Sequence, residues 1–299
     1  MRPRMHEGQV DTDPALVRRL LAEQFPSWSD LPLTRVGSHG TDHDVYRLGT
    51  DLAVRLPIVA WAQRQALLEA RWLPLLAPAL PLSVPTPVGL GAPAHGYPFA
   101  WSVVTWLPGL GADATPLDLG AAASALAAFV MALRAFPVDG AHERPPGGRG
   151  SPLIELDAGF RAALDALGDR LEREAPRARL LRAWEGSLEA GAHAGAETWV
   201  HGDLLPGNLL VEDGTVTGVI DFGGLNVGDP ACDLQPAWAL LDRASRERFR
   251  DELGADDAAW LRGRGWSLAQ AVIALPYYWD TNPGMVRQAR RSIAAVLEG

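Results

Sequence analysis

His201-Gly202-Asp203-Leu204-Leu205-Pro206-Gly207-Asn208, followed closely by Ile220-Asp221-Phe222-Gly223, is the stretch from which the rest of the chain is read. It sets an acid and an amide five residues apart and adds a second acid shortly afterwards. The connection is legible. Asn208 to Val211 and Val216 to Ile220 are short strand-like runs on either side of Asp213-Gly214, a strong hairpin signal. A hairpin there returns Asp221 to the neighbourhood of Asn208. Phosphoryl transfer to a hydroxyl needs such a set: a carboxylate to orient the hydroxyl or take its proton, hard oxygen ligands for magnesium, and positive charge for the transferred group. Asp203 suits the first role, and Asn208 and Asp221 suit the second. Two carboxylates and an amide favour hydrated Mg²⁺ over zinc. Asparagine is scarce, occurring only at Asn208, Asn226 and Asn282, and one of the three falls at this position.

This pair of motifs resembles the aminoglycoside phosphotransferase family, whose fold is similar to that of protein kinases. The family pattern is His-x-Asp, an Asn five residues after the Asp, then an Ile-Asp-Phe-Gly-like metal motif; the chain matches both parts in order and spacing. The kinase signature has the same HxD…N and DFG parts. The resemblance implies that Asp203 is the catalytic base, Asn208 and Asp221 the magnesium ligands, and His201 a supporting residue, read here as a buried hydrogen-bonding group and not a proton carrier. Val227 to Leu234 is similar to the segment that follows the metal motif in the family. Asp233 is then expected to brace the catalytic loop through its backbone, and Asp229 to be structural. Cys232 reads as a core residue, because no base is evident near it.

The implied activity is transfer of the γ-phosphate of ATP or GTP to a hydroxyl of a small molecule, with Mg²⁺ and with an aminoglycoside-like acceptor favoured. Other acceptors with the same chemistry are choline, homoserine, methylthioribose and a macrolide sugar. The alternative of a different class is a nucleotide-binding pseudokinase without turnover. Kinases grip the α- and β-phosphates with a strand lysine paired to a helix Glu. Leu52-Ala53-Val54-Arg55-Leu56 looks like that strand, with Arg55 at the lysine position. The chain contains no lysine, so all 27 of its cationic side chains are arginine. Glu69 is the only Glu between Glu23 and Glu143 and lies on the next expected helix, which makes it the natural partner of Arg55. Val36 to Thr41 resembles a degenerate phosphate-covering loop in which Ser38 or Thr41 donates hydrogen bonds. Thr105-Trp106-Leu107 takes the hinge position, whose backbone holds the nucleotide base in the family.

The expected fold is α+β, a protein-kinase-like arrangement of a small β-rich N-lobe (residues 1–107, nucleotide binding) and a larger helical C-lobe (residues 108–299, catalysis and acceptor binding). Asp13-Pro14 opens a helix. Strands are expected at Val45 to Leu48 and Leu52 to Leu56, then a helix over Trp61 to Leu76 that Pro74 should kink or end. Val84 to Leu90 and Phe99 to Trp106 read as further strands. Beyond Leu107-Pro108-Gly109 the pattern turns helical: Leu117 to Phe136, one or two amphipathic helices in Ile154 to Glu189 after a Pro/Gly-rich loop at 145–152, and helices from Pro230 onward. Near the C-terminus Tyr277, Tyr278, Trp279, Asp280, Thr281 and Asn282 cluster. Aromatic faces beside a carboxylate suit an acceptor, with Tyr278, Asp280 and Asn282 as contacts. A packed helix end with solvated polar tips is the equal alternative. Trp184, Trp238 and Trp260 are expected in the core.

Composition limits the partners. With 299 residues and 47% hydrophobic residues the chain has the material for a packed core. A net charge of −9 disfavours general nucleic-acid binding, which needs a basic surface. A single cysteine builds no disulfide framework. The first residues have no apolar signal core, and the longest apolar run, Ala121 to Leu133, is too short to span a bilayer. No membrane partner is expected, and the cytoplasm is the expected location.

Overall fold

Asp13 and Pro14 start the first helix as their chemistry dictates. In the computed structural model, which describes residues 8–37, 42–139 and 147–298, the Asp13 carboxylate accepts the Leu16 N–H at 2.6 Å and Pro14 sits in the first turn. The chain divides into two units, Met1–Gly109 with Gly218–Gly223, and Leu110–Thr217 with Gly224–Gly299.

The first unit contains α1 (Pro14–Gln24), β1 (Leu33–Arg35), β2 (His43–Leu48), β3 (Leu52–Pro57), α2 (Gln63–Leu76), β4 (Pro87–Gly91) and β5 (Trp101–Thr105). The strands form one antiparallel sheet in the order β1-β2-β3-β5-β4. Gly49, at φ 62°, takes the left-handed position of the β2–β3 turn, where a Cβ would be strained. The apolar face of α1 (Leu16, Val17, Leu20, Leu21) packs with Tyr46, Leu48, Val54, Leu56, Trp101 and Val103 of the sheet. Register places Arg55 between Val45 on one neighbour and Ser102 on the other.

Two expectations shift. Pro74 does not end the helix at its own position: α2 runs on to Leu76, and a 3₁₀ turn, Ala77–Ala79, follows. The proline gives up only its own ladder bond, to the carbonyl four residues earlier, and burial of Trp72, Leu73 and Leu76 holds the last turn in place. The strand expected from Val84 begins only at Pro87 and is the sheet's edge, where a residue without an N–H costs no ladder bond. The returning segment Gly218–Gly223 joins this unit by a parallel bridge from Gly218 to Ser83, with the Val219 N–H donated to Ser83 O at 2.9 Å.

The second unit contains β6 (Leu110–Gly111), α3 (Leu119–Ala135), α4 (Asp157–Leu167), α5 (Arg177–Leu188), β7 (Thr198–Val200), β8 (Leu209–Glu212), β9 (Thr215–Val219, whose end passes into the first unit), β10 (Asn226–Gly228), α6 (Pro236–Ala239), α7 (Arg243–Leu253), α8 (Asp257–Tyr278) and α9 (Pro283–Glu298). The hairpin read from Asp213-Gly214 is present, with both residues at positive φ (48° and 75°), as a primed two-residue turn requires. The β6-β8-β9 sheet and the antiparallel β7–β10 pair are small. Neither β6, β7 nor β10 has enough residues to show a period. The region 154–189 resolves into α4 and α5. Trp184 is fully buried and stacks on Phe160 at 4.6 Å, and Trp238 is 1% exposed. Trp260 corrects the sequence reading. It is only half-buried, because it lies on the outer side of Trp238 (4.7 Å) with the Arg250 guanidinium 5.3 Å from its ring. Among the described residues no helix is long and apolar enough to cross a membrane.

α8 packs against α4, α5 and α9, and its glycines permit the approach of neighbours. A Cβ on Gly263 would stand 2.6 Å from Leu234 Cβ. Gly263→Ala gains up to ~1 kcal/mol of helix propensity but incurs overpacking of about 1–3 kcal/mol, so a net loss of stability is expected. Gly186 in α5 has nothing within 4 Å of its would-be Cβ, so Gly186→Ala should be neutral or stabilise by up to ~1 kcal/mol. Urea unfolding of the two variants checks the opposite signs.

Candidate active site

The loop that follows β7 is shaped by a buried carboxylate. Asp233, in the 3₁₀ turn Pro230–Leu234, accepts the His201 N–H at 2.8 Å and the Gly202 N–H at 2.7 Å. The carbonyl of the same residue is also held: Gln235 Nε2 and Gln270 Nε2 each donate to Gly202 O at 3.0 Å. Asp233 is 1% exposed. Burial pushes its pKa up, opposed by His201, by the two backbone N–H bonds and by Arg134. His201 is fully buried, and its Nδ1 accepts the Asp203 N–H at 3.2 Å, which places the ring proton on Nε2. Gly202 turns the chain at φ 79°.

Asp203 leaves this anchored loop with a half-buried carboxylate. Asn208 Nδ2 donates to both the Asp203 backbone O (2.9 Å) and Asp203 Oδ2 (3.0 Å). The amide therefore uses its donors on Asp203, and its Oδ1 is left to act as an acceptor or ligand. Asn208 ends the single turn Pro206–Asn208, whose Pro206 O accepts the Ala112 N–H at 3.0 Å. Asp229 caps the next turn through Ala231 N–H at 2.9 Å and pairs with buried Arg262 at 2.7 Å, so its carboxylate is committed to structure. Cys232 is fully buried, and burial pushes its thiol pKa well up; it is a core residue.

In the first unit, the β3 guanidinium of Arg55 forms an ion pair with Glu69 of α2. Its Nη2 is also 3.6 Å from Asp221 Oδ1. Burial alone would lower the Arg55 pKa, but Glu69, Asp221 and Asp42 together raise it, so the guanidinium stays charged. Asp221 is one of the few non-glycine residues with positive φ (66°), a conformation that short polar side chains tolerate best. Asp42 accepts from Gln65 Nε2 at 2.9 Å and faces His43 Nδ1 at 3.0 Å; burial raises its pKa, but these two partners and Arg55 lower it overall. Gln65 also covers Gly223, where a Cβ would meet its side chain at 2.5 Å.

Other candidates from the sequence are placed as follows. Ser38 and Thr41, with the glycine-containing loop between them, lie outside the described residues, as do Pro145 and Pro146 of the later loop. Thr105 ends β5, and its Oγ1 accepts the Thr86 N–H at 2.9 Å; Leu107, just beyond, is half-buried. Tyr278 is half-buried against Tyr277. Asp280 projects outward, 3.8 Å from Arg170. Asn282 is 9% exposed and its Oδ1 accepts the Met285 N–H at 3.2 Å, capping α9. The face of Trp279 is taken by Arg170 (5.4 Å) and Arg290 (5.1 Å). The chain's own arginines thus stand over Trp279 and Asn282 serves as a helix cap, while Tyr277 and Asp280 remain exposed. The sequence reading missed Gln235, Gln270, Asp42, Gln65 and Arg149, whose Nη2 lies 3.4 Å from Asp203 Oδ1. No spacing rule singles out these residues: Gln235 caps the turn that holds Asp233, Gln65 shares α2 with Glu69, and Gln270, Asp42 and Arg149 come from separate segments.

Asp233→Ala would leave two buried N–H groups without acceptors, at about 1–3 kcal/mol each. A loss of about 2–5 kcal/mol in urea unfolding is expected. Asp233→Asn, which can supply only one oxygen, should fall between that variant and the wild type.

Comparison with known proteins follows the same lines. The model described as the phosphotransferase enzyme family matches residues 34–266. No curated protein matches the sequence. Among solved structures, the GDP complex of an aminoglycoside 2'-phosphotransferase-IIIa is similar with a TM-score of 0.74 at 19% identity, over 96% of this chain and 99% of that one. A GDP and kanamycin complex of a related enzyme gives 0.72 at 21% identity, over 95% and 97%. A macrolide 2'-phosphotransferase from Brachybacterium faecium gives 0.61 at 24% identity, over 95% and 97%. The fold is the α+β, kinase-like fold of these enzymes.

Proposed function

Since the chain belongs to the phosphotransferase enzyme family, we propose that it moves the γ-phosphate of ATP or GTP, with Mg²⁺, onto a hydroxyl of a small molecule such as an aminoglycoside or macrolide sugar. The observation that carries this reading is the Asp203 carboxylate, oriented by Asn208 on a loop whose backbone ends on buried Asp233. Similar solved structures are described with GDP, ADP, kanamycin and gentamicin, which supports a nucleotide donor and an amino-sugar acceptor.

Each group has a role that its surroundings support. Asp203 receives the acceptor hydroxyl and takes its proton as the oxygen attacks phosphorus. Asn208 Oδ1 and the Asp221 carboxylate are hard oxygen donors of the kind magnesium selects, and Asn208 is turned correctly because its Nδ2 is spent on Asp203. Bound magnesium would neutralise charge on the phosphates. Arg55, kept charged and steadied by Glu69, meets the phosphates in place of a lysine, with the planar fork suited to bidentate contact. Residues 1–107 would then hold the nucleotide and residues 108–299 the catalytic loop and acceptor. The cytoplasm, where nucleoside triphosphates and reducing conditions coexist, is the fitting location.

Thermal shift with Mg²⁺–ATP, Mg²⁺–GTP and EDTA controls, followed by a broad acceptor screen, tests the proposal. Transfer should require Mg²⁺, and Asp203→Ala should lower kcat by about 10²–10⁴-fold with nucleotide binding little changed. Wild-type turnover in Asp203→Ala would refute its role. Tight nucleotide binding with no turnover on any acceptor would favour the pseudokinase alternative.

A further inference from the structure

Beside Asp203 stands a cation that neither motif supplies. Arg149 comes from the Pro/Gly-rich stretch between α3 and α4, and its Nη2 lies 3.4 Å from Asp203 Oδ1, the carboxylate oxygen opposite the one Asn208 holds. The placement is built from several segments. Gly150, at φ 78°, lies so close to Gly228 that a Cβ would come within 3.0 Å of its Cα, and the Gly150 carbonyl accepts the Asp229 N–H at 2.8 Å. Asp229 is in turn fixed by buried Arg262. The loop carrying Arg149 is thus tied to the same turn that brings Asp233 under the catalytic loop.

The arginine stem then lies in a slot that only glycine leaves open. A Cβ on Gly202 would stand 2.5 Å from both Cβ and Cγ of Arg149, and one on Gly224 would stand 3.3 Å from its Cγ. Exposed ion pairs are worth little, partly because long side chains must be immobilised to make them. Here packing of the stem restricts the side chain before the charge contact is counted; the Arg149 and Asp203 side chains are 36% and 25% exposed. At 3.4 Å the contact is longer than a tight charge-assisted hydrogen bond.

We propose that Arg149 is a positioning residue for Asp203, an inference that rests on the hydroxyl-phosphorylation reading above. Asn208 holds Oδ2 and Arg149 holds Oδ1, so the carboxylate plane is set before the acceptor arrives. The acceptor hydroxyl then donates to the Asp203 carboxylate. Its oxygen bonds to the γ-phosphorus, the bond from that phosphorus to the bridging oxygen breaks with its electron pair leaving on the nucleoside diphosphate, and the hydroxyl proton passes to Asp203. A misplaced carboxylate costs rate at this step without weakening nucleotide binding.

The test uses the full chain with Mg²⁺–ATP or Mg²⁺–GTP and the best acceptor from the screen. Arg149→Ala should lower kcat by about 10–100-fold, with acceptor KM and nucleotide affinity changed less than about threefold. Millimolar guanidinium should restore part of that kcat and none of the activity of Asp203→Ala. Arg149→Lys, which fits the slot but lacks the planar fork, should lie between wild type and Arg149→Ala. Wild-type kcat in Arg149→Ala beside an inactive Asp203→Ala overturns the inference and leaves the reaction standing. If the wild type transfers phosphate to no acceptor, the reaction itself fails, and a double-mutant cycle of unfolding with Arg149→Ala and Asp203→Asn decides the contact: additivity overturns it, and coupling supports it.

Discussion

Two backbone N–H groups, those of His201 and Gly202, end on the carboxylate of Asp233 in a part of the second unit that water does not reach. A buried carboxylate is costly unless its lone pairs are filled, and a buried peptide is costly unless both its ends are bonded. Each need is met by the other, and the glutamines at 235 and 270 complete the account at the Gly202 carbonyl. The position of Asp203 follows from this. The loop before it cannot relax without exposing or orphaning charged and polar groups, so the half-buried acid that leaves the loop has a defined direction. Asn208 then fixes one oxygen and Arg149 approaches the other.

The first unit solves a related problem with a different charge. Arg55 is surrounded by strand neighbours, and its guanidinium is retained in the charged state by Glu69, Asp221 and Asp42. A lysine could pair with Glu69 as a point charge, but the fork of an arginine also reaches toward Asp221, whose backbone is held in the left-handed region. Strain of that kind costs of order 1–3 kcal/mol and persists where surrounding contacts impose it. Here the Ser83 bridge to the preceding strand and the Gln65 cover over Gly223 flank it on either side. A chain without lysine thus carries here a buried cation whose planar geometry is part of the surrounding network.

The C-terminal aromatic cluster shows how the same residue types serve packing. Asn282 reads equally well as a ligand contact and as a helix cap, and in the structure it caps α9. Trp279 offers a face for a cation, and Arg170 and Arg290 of the chain itself occupy it.

What the sequence determined by itself are features whose causes lie within a few residues. Asp13 caps a helix because its side chain reaches Leu16; Asp213-Gly214 turns a hairpin because both residues accept positive φ; the Asp–Asn spacing survives because one short turn joins them. Strand runs around Arg55 and the isolated Glu69 were legible for the same reason: period and composition are local. Only the tertiary structure decided the rest. The β7–β10 pair joins two three-residue strands too short to carry a pattern. Trp260 is half-exposed because Trp238 already fills the space beneath it. The segment Gly218–Gly223, continuous with the hairpin of the second unit, packs with the first. Arg149 meets Asp203 where Gly150, Gly202 and Gly224, scattered along the chain, leave room in one place. Close approach between distant segments depends on which atoms are missing as much as on which are present, and no short window of sequence contains that information.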